Sequence, residues 1–120
     1  MAEPTVDIFS IEYCGKVCIV TIHARELDST AAEELSTRLL ALLDEAKTYR
    51  FVLDFASVRF MESSCIGALV VILKWLSRYD GKIAIANVTE TIRFLFAVTR
   101  LDKVFPIFKD VPAAMEAVEK

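Results

Sequence analysis

The sequence predicts a small two-layer α/β domain: a mostly parallel mixed sheet, opened by an antiparallel hairpin, with about four helices. Three observations predict it. Runs rich in β-branched residues alternate with runs of helical periodicity, which implies parallel strands joined by crossover helices. Two of the later strands carry large residues on one face and small ones on the other, as expected where helices cover mainly one side of a sheet. The chain has 120 residues and is 55% hydrophobic with eight Phe, enough for one core, so residues 1–120 are read as a single domain.

The elements follow in order. Val6 to Tyr13 and Val17 to His23 are strand-like and are separated by Cys14-Gly15-Lys16, a hairpin signal. Thr30-Ala-Ala-Glu33 has the spacing of a capping box. Leu35, Leu39, Leu42, Leu43 and Ala46 then repeat at helical intervals, so a first amphipathic helix is expected to end near Lys47. Phe51 to Ala56 reads as a strand with Phe51, Leu53 and Phe55 on one face and Val52, Asp54 and Ala56 on the other. Ile83 to Val88 repeats the pattern, with Ile83 and Ile85 opposite Ala84 and Ala86. Between these strands, Ser63 and Ser64 suit the start of an apolar run from Cys65 to Leu76, and Asp80-Gly81 suits its stop. Ile66, Leu69, Val70 and Leu73 form one stripe while Val71, Ile72 and Trp75 lie off it, so this helix is expected to be the most buried. Thr89 caps a third helix carrying Ile92, Leu95 and Phe96. Phe105 to Phe108 adds a short strand, and Asp110 caps a last helix carrying Met115 and Val118.

Composition excludes several classes of function. Fourteen basic and seventeen acidic residues give a net charge of -3 with no basic patch, which argues against nucleic acid. Met1 to Asp7 lack the basic start and apolar run of a secretory signal. The apolar stretch from Cys65 to Leu73 stops at Lys74, short of the ~20 residues of a membrane span. Three cysteines and one histidine do not build a zinc or iron site. In a two-residue hairpin turn Cys14 would pair with Val17 and leave Cys18 on the opposite face, which argues against a Cys14–Cys18 bridge. Reduced cysteines in a cytoplasm are expected. Three scattered glycines, Gly15, Gly67 and Gly81, form no phosphate-cradling loop, so neither cofactor nor nucleotide is expected on this chain.

Chemistry is expected at the carboxyl edge of the parallel strands, where helices begin. That edge should gather Asp28, Glu62, Ser63, Ser64 and Cys65. A phosphate on a serine there would meet free backbone N–H groups and the positive end of a helix dipole. Serine at a helix start also serves simply as a cap, worth ~1 kcal/mol, and Asp28 is a natural cap as well. Asp54, mid-strand on the small-residue face, reads as a hydrogen-bonded structural group.

The segment Phe51-Val-Leu-Asp-Phe-Ala-Ser-Val-Arg-Phe-Met-Glu-Ser-Ser-Cys-Ile-Gly-Ala-Leu69 resembles the STAS domain, shared by bacterial anti-sigma factor antagonists and the cytoplasmic tails of sulfate transporters. Its pattern there is a strand, then D-S-S-G-L-G, then a helix. The likeness extends through Arg25-Glu-Leu-Asp28, similar to G-E-L-D, and through Thr99-Arg-Leu-Asp-Lys-Val-Phe105 to the last helix. Glu62 stands for the motif's Asp, Cys65 for a Gly and Arg25 for a Gly. The resemblance implies a non-enzymatic binding protein that captures an anti-sigma factor, which is also a serine kinase, and so frees a sigma factor. It implies phosphorylation of the second serine, here Ser64, to abolish binding, and a phosphatase to restore it. Asp28, Glu62, Ser63, Ser64 and Cys65 are the expected partner contacts, on a monomer or weak dimer. Two other readings stand beside it: a constitutive scaffold or transporter-associated subunit of the same family, and an enzyme using Cys65 as nucleophile with His23 as base.

Overall fold

The computed structural model describes residues 8–120. Val6 and Asp7 of the expected first strand, and the acidic start read over Met1 to Asp7, lie outside the described residues. Strands β1 (Phe9–Cys14) and β2 (Val17–Ile22) form the antiparallel hairpin. Cys14 faces Val17 across the turn, as expected, and Gly15 takes the positive φ of 61° that a tight turn needs. Then follow β3 (Glu26–Leu27), α1 (Ser29–Glu45), β4 (Arg50–Asp54), β5 (Phe60–Met61), α2 (Ser63–Ser77), β6 (Lys82–Ala86) and α3 (Glu90–Val98). A 3-10 turn over Leu101–Lys103, β7 (Ile107–Phe108) and α4 (Val111–Glu119) complete the described chain. The main sheet has the order β1-β2-β4-β6-β7, antiparallel only between β1 and β2.

The two faces of the sheet divide as their residues dictate. Val20, Phe51, Leu53, Ile83 and Ile85 point into the larger core, where they meet Leu35, Leu39 and Leu43 of α1, Leu69, Ile72 and Leu76 of α2, and Ile92 and Phe96 of α3. The other face offers Val17, Ile19, Val52, Ala84 and Ala86, and among the described helices α4 alone packs on it, through Ala114 and Val118. Alanines at these positions let a helix lie close to the strands. The two-layer arrangement therefore carries one helix on its back.

Most helix starts follow the local chemistry. Thr89 Oγ1 accepts from the Ile92 N–H at 3.4 Å, and Asp110 Oδ1 from the Ala113 N–H at 2.9 Å. At α1 the cap is Asp28, whose Oδ1 accepts from the Ala31 N–H at 2.9 Å, in place of the Thr30–Glu33 capping box. Pairing of β3 brings the extended chain to an end at Leu27, so Asp28 holds the cap position and Thr30 already lies inside the helix. The helix ends at Glu45, before Lys47, which adopts a positive φ of 54°.

The second helix departs furthest from expectation. It buries Cys65, Leu69, Ile72 and Leu76 along one stripe, but Val71 and Trp75 stay 43% and 40% exposed. Neighbouring elements cover only one side of α2, so it is not the enclosed helix that its all-round apolarity suggests. The stop after it rests on two residues with different roles. Asp80 takes the positive φ of 54°, while Gly81 is required by crowding: a Cβ there would lie 2.6 Å from Leu76 Cδ2 and 2.7 Å from the Tyr49 carbonyl oxygen. Gly81→Ala should therefore cost about 1–3 kcal/mol, as overpacking does. Urea denaturation checks this, and an unchanged midpoint would mean that the turn yields freely.

Candidate functional site

Two short strands build the site. β3 and β5 pair in parallel, Glu26 opposite Phe60 and Leu27 opposite Met61, and form a separate two-stranded sheet. The Arg25 carbonyl accepts from the Arg59 and Phe60 N–H groups at 2.7 and 3.1 Å, and the Leu27 carbonyl accepts from the Glu62 N–H at 2.9 Å. Each strand runs straight into a helix: Asp28 is the N-cap of α1 and Glu62 the N-cap position of α2. Segments more than thirty residues apart thus deliver two helix N-termini to one place.

Glu62 links them. Its Oε1 accepts from the Ser29 N–H at 3.1 Å, so the carboxylate at the start of α2 serves the first turn of α1. No side chain caps α2 itself, and its first turn carries no acidic residue. Ser63 and Ser64 are exposed and occupy the first two helical positions, one step past the place from which a hydroxyl caps. The cap role expected of these serines is therefore not performed. What is left at Ser64 is an exposed hydroxyl on a helix start whose dipole favours added negative charge.

Cys65 requires a correction. Grouped by sequence with the partner contacts, its side chain is 2% exposed, and its thiol donates to the Leu27 carbonyl at 3.0 Å. It fastens α2 to β3 from beneath and can shape the surface without touching a partner. Burial pushes the thiol up from its ordinary 9.0 to about 11, and the Glu62 and Asp28 carboxylates act in the same direction. That is opposite to what a nucleophile needs. His23, the base of the rival enzyme reading, is hydrogen-bonded to Ser10 Oγ at 2.9 Å and not to Cys65. Cys18 is buried and likewise pushed up to about 11, chiefly by burial, whereas Cys14 is exposed. At pH 7.5 a thiol reagent should consequently label Cys14 alone in the native protein and all three after unfolding; native labelling of Cys65 would contradict its placement.

Asp54 has the structural role expected of it: at the end of β4, Oδ1 accepts from the Ala56 N–H at 3.0 Å and from Asn87 Nδ2 at 3.1 Å. Among the described residues no group of three His, Cys, Asp or Glu is placed to hold a metal ion, and no helix is long and apolar enough to cross a membrane. Sequence reasoning missed the β3–β5 pair, the exposed Phe60 beside the site (54% exposed) and the Glu62–Ser29 bond. The only sequence signal for the pair was that Leu27 and Met61 are apolar residues just before polar helix starts.

Fold and site together define a small α/β domain that presents an exposed serine where two helix starts are tied at one edge. The chain belongs to the STAS-domain family, whose model matches residues 10–114. It is 23% identical over 109 residues to the anti-sigma F factor antagonist of Paenibacillus polymyxa, covering 91% of this chain and 92% of that one. An anti-sigma factor antagonist from Mycobacterium paratuberculosis superposes with a TM-score of 0.81 at 23% identity, covering 93% of each chain. The Bacillus cell fate determinant SpoIIAA in its phosphorylated form superposes with a TM-score of 0.71 at 19% identity, covering 91% of this chain and 98% of that one. At such identities the structural likeness establishes the shared fold.

Proposed function

We propose that this chain is a phosphorylation-switched anti-sigma factor antagonist. With Ser64 unmodified it binds an anti-sigma factor that is also a serine kinase, and a sigma factor is released; phosphorylation of Ser64 breaks the contact, and a phosphatase restores it. The chain acts as a binding module with no cofactor of its own, in a cytoplasmic setting, as a monomer or weak dimer within residues 1–120. The observation that carries this reading is the exposed Ser64 in the first turn of a helix that no side chain caps, beside Asp28 and Glu62. Asp28, Glu62 and Ser63 supply the surface around it, and Cys65 supports that surface from within.

A phosphate at this position meets the positive end of the α2 dipole, which is worth about 0.3–1 kcal/mol for an exposed charge. The domain can thus absorb the modification that its partner cannot. The resemblance to antagonists, with Ser64 in place of the second serine of their motif, favours this reading over a constitutive scaffold or transporter-associated subunit.

Incubation with the cognate kinase and ATP should add one phosphate, and fragment mass mapping should place it on Ser64. Phosphate on Ser63, or none with a kinase active on another substrate, would contradict the assignment.

A further inference from the structure

We propose that β1 is a pairing edge whose occupant is β1 of a second copy of this chain. The two strands join antiparallel about Ile11, so that two five-stranded sheets become one. The contact uses no residue of the Ser64 site and is independent of how that site is read.

β1 lies at one end of the sheet. Just before it, the Ile8 carbonyl accepts from the His23 N–H at 2.7 Å. Bonded and non-bonded pairs alternate along an antiparallel ladder, so Ser10, Glu12 and Cys14 turn their backbone groups to β2, while Phe9, Ile11 and Tyr13 turn theirs outward. Among the described residues no strand or side chain meets these outward groups. Natural edges are ordinarily blunted by shortness, Pro, Lys or a bulge. The opposite edge, β7, conforms, with two residues. β1 does not: it runs for six residues without Pro, Lys or a break in register. On its helix side an open groove of about 880 Å³ separates Phe9 and Ile11 from α1 at Thr30, Thr37 and Ala41. Phe9 and Ile11 are only half-buried there, and Tyr13 is exposed. The groove is room for the inward side chains of one more strand.

Cross-strand chemistry identifies the occupant. A two-fold axis through Ile11 sets Ile11 against its own copy and Phe9 against the second copy's Tyr13, all on the face that carries the groove. Each facing pair exchanges both N–H···O bonds, so every outward group of Phe9, Ile11 and Tyr13 finds a partner. Aromatic and β-branched residues are the pairs that stabilise neighbouring strands. On the other face Ser10 meets the second copy's Glu12. Moving the axis to Glu12 would set two carboxylates directly opposite, which is destabilising, and moving it to Ser10 would leave Tyr13 unpaired. The single charge on the edge therefore selects the register instead of forbidding the pairing. Because the strands join antiparallel, the two Ser64 edges point to opposite ends of the joined sheet.

The test is sedimentation of the wild type and of Ile11→Pro, Ser10→Glu and Ser10→Lys over a range of concentrations up to about 1 mM, beside thermal melts and amide hydrogen exchange. The wild type should show a dimer that grows with concentration, and exchange at Phe9, Ile11 and Tyr13 should slow as it grows. Ile11→Pro removes a central outward N–H that β2 does not use and should weaken the dimer at least tenfold. Ser10→Glu sets a second carboxylate opposite Glu12 and should weaken it about threefold or more, whereas Ser10→Lys sets an ammonium group there and should tighten it by a similar factor. Where Ile11→Pro does not fold, the opposite responses of the two Ser10 variants decide. A wild type that stays monomeric throughout overturns the proposal, as does a dimer indifferent to all three substitutions. Slowed exchange at Phe9, Ile11 and Tyr13 only after the cognate anti-sigma factor kinase is added would make a partner's strand the occupant and overturn the assignment to a second copy.

Discussion

Ser64→Asp is expected to weaken binding to the partner kinase at least tenfold while shifting Tm by no more than about 3 °C, the range of an exposed substitution. Aspartate adds about one negative charge and a phosphate about -1.5 to -2. In the free domain that charge lies on the exposed first turn of α2, where the dipole favours it and water screens it. A docked partner removes the water. The charge then sits beside Asp28 and Glu62, whose carboxylates are already committed to the Ala31 and Ser29 N–H groups and gain nothing from a third anion. A loss of ~1.4 kcal/mol is a factor of ten in affinity, a modest demand on like charges brought together in a desolvated contact. Ser64→Ala should bind like wild type and resist phosphorylation. Calorimetric titration and thermal melts separate the effects: equal binding by Ser64→Asp would contradict electrostatic switching, and lost binding through unfolding would make Ser64 a structural residue.

The largest expected loss of stability lies on the other side of the site. Phe96 of α3 is fully buried and packs edge-on against Phe55 at 6.2 Å and Phe105 at 6.4 Å between centroids. Phe96→Ala removes the central ring of this trio and should cost about 3–5 kcal/mol, a large share of the 5–15 kcal/mol typical of a domain. Tm should fall on the order of 10–20 °C. The effect reaches the functional edge, because Thr89 at the start of α3 donates to the Val58 carbonyl at 3.3 Å, and Val58 leads into β5 and Ser64. Hydrogen exchange in Phe60–Met61 should accelerate in this variant. A loss below about 1 kcal/mol in urea denaturation would contradict the packing described.

Much of this architecture was legible because it is periodic. Alternation over Phe51–Phe55 and Ile83–Ala86 separated the bulky face from the small one. Thr89 and Asp110 marked helix starts through oxygens that bond their own next turn, a purely local event. The site was legible only in part. Glu26–Leu27 and Phe60–Met61 are too short to show a period, and their pairing depends on segments distant in sequence, so the device that joins Asp28 to Glu62 left no pattern to read. Local spacing alone did not decide between Asp28 and Thr30 as the cap of α1; the end of β3 did. Glu62 looked like an acid at the start of its own helix, but its reach to Ser29 depends on where α1 lies. The apolarity of α2 was read as burial, although an apolar helix face has the same composition whether a core or a partner covers it.

The central claim, that a single modification at Ser64 governs partner binding, is tested most directly on the natural modification. Wild-type protein phosphorylated stoichiometrically on Ser64 and the same sample after phosphatase treatment are titrated with the cognate anti-sigma factor kinase under one buffer and salt condition. The account predicts at least a tenfold weaker Kd for the phosphorylated form and full recovery after phosphate removal, with both forms folded to the same Tm within about 3 °C. Equal affinity of the two folded forms would contradict it.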